Sequence, residues 1–250
     1  MDSNLRRIWS DSSGVEERIA HFQRMGRSQG RATYRRRLAL KLCIWRCVTR
    51  GTLAFKRLLD VAGALLGMLL LAPVFIGTWL AIRLEDGGPV LFLQERVGLH
   101  GAAFPMYKFR SMVVNADQLK DQLLAQNESA AGVLFKMKRD PRITRVGRVI
   151  RKLSIDELPQ LYNVLLGHMS LVGPRPALPR EVALYRPEER VRLEVRPGIT
   201  CLWQIGGRSE IDFKGQVRLD VQYIREQSVL LDLVILLKTI PVVLLGRGAY

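Results

Sequence analysis

Cysteine is scarce in this chain of 250 residues, limited to Cys43, Cys47 and Cys201. No CxxC spacing or neighbouring histidine cluster accompanies them, which argues against a structural zinc site and favours a reducing compartment. Histidine is equally rare, and His21, His100 and His168 lie far apart. Neither a Ser–His nucleophile system nor a His-rich metal site is therefore indicated. Aromatic residues make up only 7% of the chain, and no standard nucleic-acid-binding motif appears among them, so no nucleic-acid partner is expected. No GxGxxG or Walker phosphate loop occurs. Residues 1–37 are polar and studded with arginine, without an apolar core ahead of a small-residue cleavage site, so no secretory signal is read and the soluble bulk is expected in the cytoplasm.

Acidic residues are also in short supply, 23 against 39 Lys plus Arg, for a net charge of +16. Such an excess attracts something anionic: nucleic acid, lipid headgroups or phosphorylated substrates. Residues 1–57 hold 14 of the basic and 4 of the acidic side chains, so the charge is concentrated ahead of the most apolar part of the chain. The length and a hydrophobic content of 48% fit one main catalytic unit with appendages.

From Tyr34 to Arg57 basic residues alternate with Leu, Ile, Trp45 and Phe55, as in a basic helix lying on a membrane surface. The 22 residues between Asp60 and Arg83 carry no charge, a run long enough for a membrane helix. Pro73 stands near its centre, where it removes a backbone hydrogen bond and breaks the helix. Such a helix either spans with a kink or dips in and leaves by the same face. Lys56 and Arg57 before the run and Arg83 and Arg96 after it mark neither end as external, which favours the re-entrant form. Val90–Gln94 and Phe104–Phe109, separated by glycines, read as a short hairpin. Residues 115–130 read as a surface helix. The apolar stretch Leu230–Gly246, interrupted by Asp232, Lys238 and Pro241, reads as an interfacial amphipathic helix.

The acidic pair Asp156–Glu157 interrupts apolar sequence in RKLSIDELPQL. Adjacent carboxylates can share metal binding, nucleophilic attack and proton transfer. The plain alternative is a helix cap, because Ser154 and Glu157 have capping-box spacing. Around the pair, in sequence, stand Lys108 and Arg110 (MYKFRSM), Arg139 and Arg142, Arg151 and Lys152, Arg175 (VGPRP), Arg196 (VRPG) and Arg208. Several occur in apolar or turn-forming contexts, unlike a solvated face. Arginine's planar fork suits phosphate oxygens, and the neighbouring prolines reduce the ordering cost of presenting it.

Together the blocks KRLLDVAGALLG, GPVLFLQERVG, YKFRSM, RDPRITRVGRVIRKLSIDELPQLYNVLLGHMSLVGPRPALP, RPGITCLWQIGGRS and VRLDVQYI resemble the bacterial sugar transferase family. These are the monotopic phosphoglycosyl transferases that initiate exopolysaccharide, capsule, O-antigen or glycoprotein glycan assembly. The resemblance runs from about Lys56 to Lys238. It departs at Ala72, where the family often has Ser before the helix-breaking proline, and at Cys201, a position commonly small or Gly.

The resemblance implies an α+β, mostly helical fold with a re-entrant membrane helix-break-helix, a cytosolic catalytic domain with a short β-hairpin, and interfacial amphipathic helices. The expected organisation is a basic arm at 1–50, a membrane segment at 51–86 with its break at Pro73, and a catalytic domain at 87–250 on the cytoplasmic face of the bacterial inner membrane. It further implies transfer of a hexose-1-phosphate from a UDP-sugar to polyprenyl phosphate through a covalent phosphosugar on Asp156. Mg2+ would be held by Asp156 and Glu157. Lys108, Arg110, Arg151, Arg175, Arg196 and Arg208 are the expected contacts to substrate phosphates, with Asp220 and Tyr223 shaping the site. Membrane lipids are expected partners, and Trp45, Trp79 and the C-terminal apolar helix offer surfaces for a homodimer. The rival reading is a non-enzymatic basic scaffold on a membrane surface.

Overall fold

The computed structural model describes residues 28–116, 118–119, 140–207 and 211–244. The helix expected at 115–130 lies mostly outside these residues, as do Arg139, Arg208 and most of the 1–50 arm. Packing divides the chain into two compact units, Met1–Phe55 and Lys56–Tyr250. The apolar helices from Lys56 onward belong to the second of these units.

Helix α1 (Ser28–Leu70) ends one residue before α2 (Ala72–Asp86), which begins with Pro73 in its first turn. The two meet at a bend of 61°. Proline tolerates a first-turn position, where its missing N–H has no helical partner anyway, so the break falls just before it. Among the described residues no single helix is long and apolar enough to cross a membrane, whereas the bent pair passes that test by length and composition. Helix α2 stops at Gly87, whose φ of 67° fits a left-handed terminator.

The hairpin follows as β1 (Leu91–Val97) and β2 (Ala103–Phe109), paired antiparallel from Leu91 opposite Phe109 to Val97 opposite Ala103. Then come α3 (Arg145–Lys152), a 3-10 turn at Ile155–Glu157, and α4 (Gln160–Leu166). Strand β3 (Ser170–Val172) pairs parallel with β4 (Gly198–Thr200). Between these strands lie α5 (Pro179–Val182) and a 3-10 helix (Pro187–Leu193); after them come α6 (Leu202–Gly206), α7 (Phe213–Glu226) and α8 (Val229–Leu244).

The mostly helical architecture and the hairpin agree with the sequence reading. The parallel pair β3–β4 does not: VGPRP and VRPG read there as loops, because three-residue strands are too short to show alternation. The strands meet very closely. A Cβ on Gly198 would stand 2.0 Å from the Gly173 nitrogen, and one on Gly173 would stand 2.5 Å from the Arg196 carbonyl oxygen.

The core is continuous with the bent helices. Ala64 packs with Phe104, Met106, Leu161, Val164 and Met169, while Ile82 packs with Phe109 and Ile150. Polar contacts fasten the same elements: Glu85 accepts from the Arg145 amide at 2.7 Å, and Thr144 caps α3 by accepting from the Gly147 amide at 2.8 Å. A further group joins Val172, Tyr223 and Ile235. The inner face of α8 is therefore packed on the protein, while Leu230, Leu233, Leu237 and Ile240 remain exposed.

Candidate functional site

The acidic pair lies on neither a long helix nor a loop. Helix α3 ends at Lys152, and Ser154 takes a left-handed conformation, φ 54° and ψ 21°, turning the chain into the Ile155–Glu157 turn. A serine held there carries a cost of about 1–2 kcal/mol. The capping-box alternative fails: Ser154 makes no side-chain cap bond. Two cations hold the Glu157 carboxylate instead.

Lys108 Nζ donates to Glu157 Oε1 at 2.8 Å, and Arg175 Nη1 donates to the same oxygen at 3.3 Å. Strand β2 delivers Lys108, and the segment after β3 delivers Arg175. Although burial opposes ionisation, the two cations outweigh it and hold the Glu157 carboxyl down at about 2. Glu157 thus contributes stability above its ordinary pKa, and that contribution fades as pH falls toward 2. Glu157→Gln is expected to lower the unfolding free energy by about 2 kcal/mol at neutral pH, by leaving two half-buried cations together. Chemical denaturation across pH checks this, and the gap should narrow on acidification below pH 4.5.

Asp156 behaves oppositely. Among the described residues no hydrogen bond or ion pair holds its half-buried carboxylate. Burial dominates and lifts its pKa to about 6, with Glu157 adding repulsion, while Lys108, Arg151 and Arg175 pull the other way. One member of the pair is locked as an anion, and its neighbour is a carboxylate with no fixed partner in a cationic surround. Environments that push two adjacent carboxyls apart in this way usually divide their roles.

Arg175 owes its position to a backbone fastened on both sides. The Val172 carbonyl lies within hydrogen-bonding distance of Ser170 Oγ (2.9 Å), Tyr223 OH (3.0 Å) and Lys56 Nζ (3.3 Å). Gly173 N donates to the Thr200 carbonyl at 3.0 Å, and Gly198 N donates to the Pro174 carbonyl at 2.9 Å. Beyond the arginine, Arg96 Nη1 donates to the Pro176 carbonyl and Val97 N to the Ala177 carbonyl, each at 2.9 Å. Such bracing reduces the entropy lost when a guanidinium is fixed on a ligand.

The remaining residues expected from sequence separate. Arg110 is buried and forms a two-pronged ion pair with Asp86, which draws the Asp86 carboxyl below its usual range; it joins α2 to β2. Arg142 pairs with Asp140 at 2.6 Å. Arg196 is exposed and donates through Nε to the Gly167 carbonyl at 3.1 Å. Asp220 is buried against Arg192 at 2.8 Å, and burial raises its carboxyl to about 6. Tyr223 lies 2.7 Å from Asp232, and burial beside that carboxylate raises its hydroxyl. Asp220 and Tyr223, one turn apart on α7, thus serve two different buried networks.

Sequence reasoning overlooked Lys56, Asp60 and Asp232. Lys56 Nζ pairs with Asp232 at 2.5 Å, and Asp60 accepts from Ser170 Oγ and the Leu171 amide, both at 3.0 Å. Arg57 donates to the Leu165 carbonyl at the end of α4 at 3.1 Å. The basic flank that read as a topology signal is engaged inside the protein. Its available clue was Asp232, a charge kept within an otherwise apolar helix.

Asp156 and Glu157 offer adjacent carboxylate oxygens, and among the described residues no group of three or more His, Cys, Asp or Glu could form a protein metal cage. That donor set fits Mg2+, which is commonly held by one or two carboxylates together with substrate phosphates and water.

Comparison with known proteins gives a consistent result. Residues 51–246 match the sequence profile described as bacterial sugar transferase. The chain is 53% identical over 195 residues to the galactosyl transferase CpsE of Streptococcus agalactiae, covering 78% of this chain and 43% of that protein. It is 44% identical over 204 residues to the undecaprenyl-phosphate galactose phosphotransferase of Salmonella typhimurium, covering 80% and 43% respectively. Against the exopolysaccharide production protein ExoY of Sinorhizobium fredii it is 42% identical over 198 residues, covering 78% and 88%. The matched region therefore spans less than half of the first two relatives and most of the third.

Proposed function

The chain belongs to the bacterial sugar transferase family, and from that premise we propose that it is a phosphoglycosyl transferase moving hexose-1-phosphate from a UDP-sugar to polyprenyl phosphate at the start of a surface glycan. The observation that carries this reading is the Asp156 carboxylate, which has no fixed partner among the described residues and is surrounded by Lys108, Arg151 and Arg175. A Salmonella typhimurium and an Aeromonas hydrophila relative are named for undecaprenyl phosphate, and the latter and an Erwinia amylovora relative for a UDP-sugar.

In the first step an Asp156 carboxylate oxygen attacks the sugar-bearing phosphorus. The Asp–O–P bond forms, the bond to the bridging oxygen breaks, and UMP leaves with that electron pair. A phosphate oxygen of the lipid acceptor then attacks the same phosphorus, giving polyprenyl diphosphate sugar and restoring the carboxylate. No net proton is transferred. Glu157 is held ionised by Lys108 and Arg175; its part is to orient those cations toward phosphate oxygens rather than to carry a proton. Arg151 adds charge from the end of α3. Bound at Asp156 and Glu157, Mg2+ would supply further neutralisation of phosphate charge. Cations must offset that charge before a carboxylate can approach a diphosphate.

The bent α1–α2 pair is proposed to dip into the cytoplasmic leaflet of the inner membrane and return. Leu65, Leu66, Leu69, Leu70, Ile76 and Leu84 are exposed on it, and an apolar surface of this extent needs lipid or protein to cover it. The test is UMP release from a panel of UDP-sugars by the purified chain in lipid discs with polyprenyl phosphate and Mg2+. Release from one sugar supports the reading and names the donor; no release from any sugar by folded protein overturns it in favour of the scaffold.

A further inference from the structure

Arg96 is buried, at 9% exposure, yet among the described residues no carboxylate forms an ion pair with it. Its hydrogen bonds go to neutral oxygens: Nη1 donates to the Pro176 carbonyl at 2.9 Å, and Nε and Nη2 donate to Gln94 Oε1 at 3.2 and 2.6 Å. Burial and the neighbouring Arg175 hold the guanidinium down at about 10. Burying a charge without a counterion, close to a like charge, works against the fold. Such departures concentrate at functional sites, and here the arginine fixes one neighbour, Gln94.

The direction of the Gln94 amide follows from chemistry alone. A guanidinium has no acceptor, so the amide oxygen must face Arg96 and the nitrogen must face away. Among the described residues that nitrogen has no hydrogen-bond partner, and it is not sealed from solvent. Strand register gives its surroundings. Gln94 stands opposite Met106 and Phe92 opposite Lys108, so Gln94, Arg96 and Lys108 share one face of the hairpin. Gln94 and Lys108 are diagonal neighbours, about 7–8 Å apart and within reach of long side chains. On the outer edge of β1, Val97 N donates to the Ala177 carbonyl at 2.9 Å, which together with the Arg96–Pro176 bond fastens the segment carrying Arg175. Lys108 and Arg175, the two cations that meet at Glu157 Oε1, thus approach from either side of Gln94.

A fixed neutral donor between two cations suited to phosphate matches an acceptor that carries no proton of its own. Resting on the reading of the reaction given above, we propose that Gln94 Nε2 donates a hydrogen bond to a non-bridging oxygen of the transferred phosphoryl group, with Arg96 as the positioning residue that keeps the donor turned toward it. Gln94 makes and breaks no covalent bond and transfers no proton. Its contribution is a donor already oriented where negative charge gathers during attack by Asp156. The competing reading makes Gln94 only an acceptor that anchors Arg96, without any contact to substrate.

Gln94→Glu separates the two. It keeps an oxygen for Arg96 and gives that guanidinium a counterion, so the variant should melt no lower than the wild type, while the donor is lost. In lipid discs with polyprenyl phosphate and Mg2+, kcat for UMP release is expected to fall about a hundredfold, with the KM for the UDP-sugar changing less. A sharper readout uses the same UDP-sugar with sulfur replacing one or the other non-bridging oxygen of the sugar-bearing phosphorus. Sulfur is a poor acceptor, so the wild type should penalise the isomer that sets sulfur against the amide. Gln94→Glu and Gln94→Met should each shrink that penalty about tenfold, the effect of one neutral hydrogen bond. Repulsion from the new carboxylate slows both isomers alike, and preferences set by the other phosphate contacts persist, so the change reads Gln94. Arg96→Met, assayed below its melting temperature, should shrink the same penalty, which a loss of stability alone would not do. Wild-type kcat in Gln94→Glu, or an isomer penalty that is absent in the wild type or unchanged in both Gln94 variants, would overturn the proposal and keep the reaction. No UMP release from the oxygen substrate by the folded wild type would remove the reaction itself and this proposal with it.

Discussion

Asp156→Asn should abolish UMP release and, at the same time, make the protein more stable. Loss of activity follows because the amide cannot form the bond to phosphorus on which both steps depend; a fall of about a thousandfold or more is expected for a lost nucleophile. The gain in stability follows from the environment of the carboxyl. Burial raises its pKa from 3.8 to about 6, so the folded state binds its proton more tightly than the unfolded chain does. The stabilisation from that proton is present below pH 3.8 and is lost as pH rises through about 6. At neutral pH the wild type holds an ionised group that its surroundings disfavour, at a cost of about 1–2 kcal/mol after allowing for partial exposure. Asparagine keeps the shape without the charge. Thermal unfolding in metal-free buffer should show the variant melting higher at pH 7 to 8 and the difference shrinking as the buffer is taken below about 6. A variant that melts lower at neutral pH would contradict this account of the site, whatever its activity.

The same pair shows what could be read from sequence and what could not. Two adjacent acids in apolar sequence, basic residues near turns and the matching blocks were enough to select Asp156, Glu157, Lys108, Arg151 and Arg175, which the fold brings into one electrostatic cluster. Their unequal titration was hidden, because it depends on which carboxylate meets the two cations and which is left without a partner. Arg110 illustrates the complementary problem. A basic residue beside a turn has the same sequence appearance whether it faces a substrate or an acid such as Asp86, 24 positions away. The bend was legible at Pro73 because proline acts locally. The parallel pair β3–β4 was not, since it depends on two glycine-containing segments approaching more closely than a side chain would allow.

Asp232→Ala is expected to be the most damaging substitution outside the carboxylate cluster. Asp232 receives Lys56 at 2.5 Å and Tyr223 at 2.7 Å, and both of these groups also face the Val172 carbonyl. Removing the carboxylate takes away the nearer of the two counterions of a largely buried ammonium and leaves only Asp60, at 3.9 Å, a loss of about 3 kcal/mol. In a chain of this size that corresponds to a melting temperature lower by roughly 10 °C. Tyr223→Phe keeps the ion pair and removes one hydroxyl, so a loss near 1 kcal/mol is expected. The two variants also separate a general structural role from a positioning one. Val172 is three residues before Arg175 on the segment fixed at Gly173, Pro174 and Pro176. If the network positions Arg175, Tyr223→Phe assayed well below its melting temperature should raise the KM for the UDP-sugar more than it lowers kcat. An unchanged KM would assign the network to stability alone.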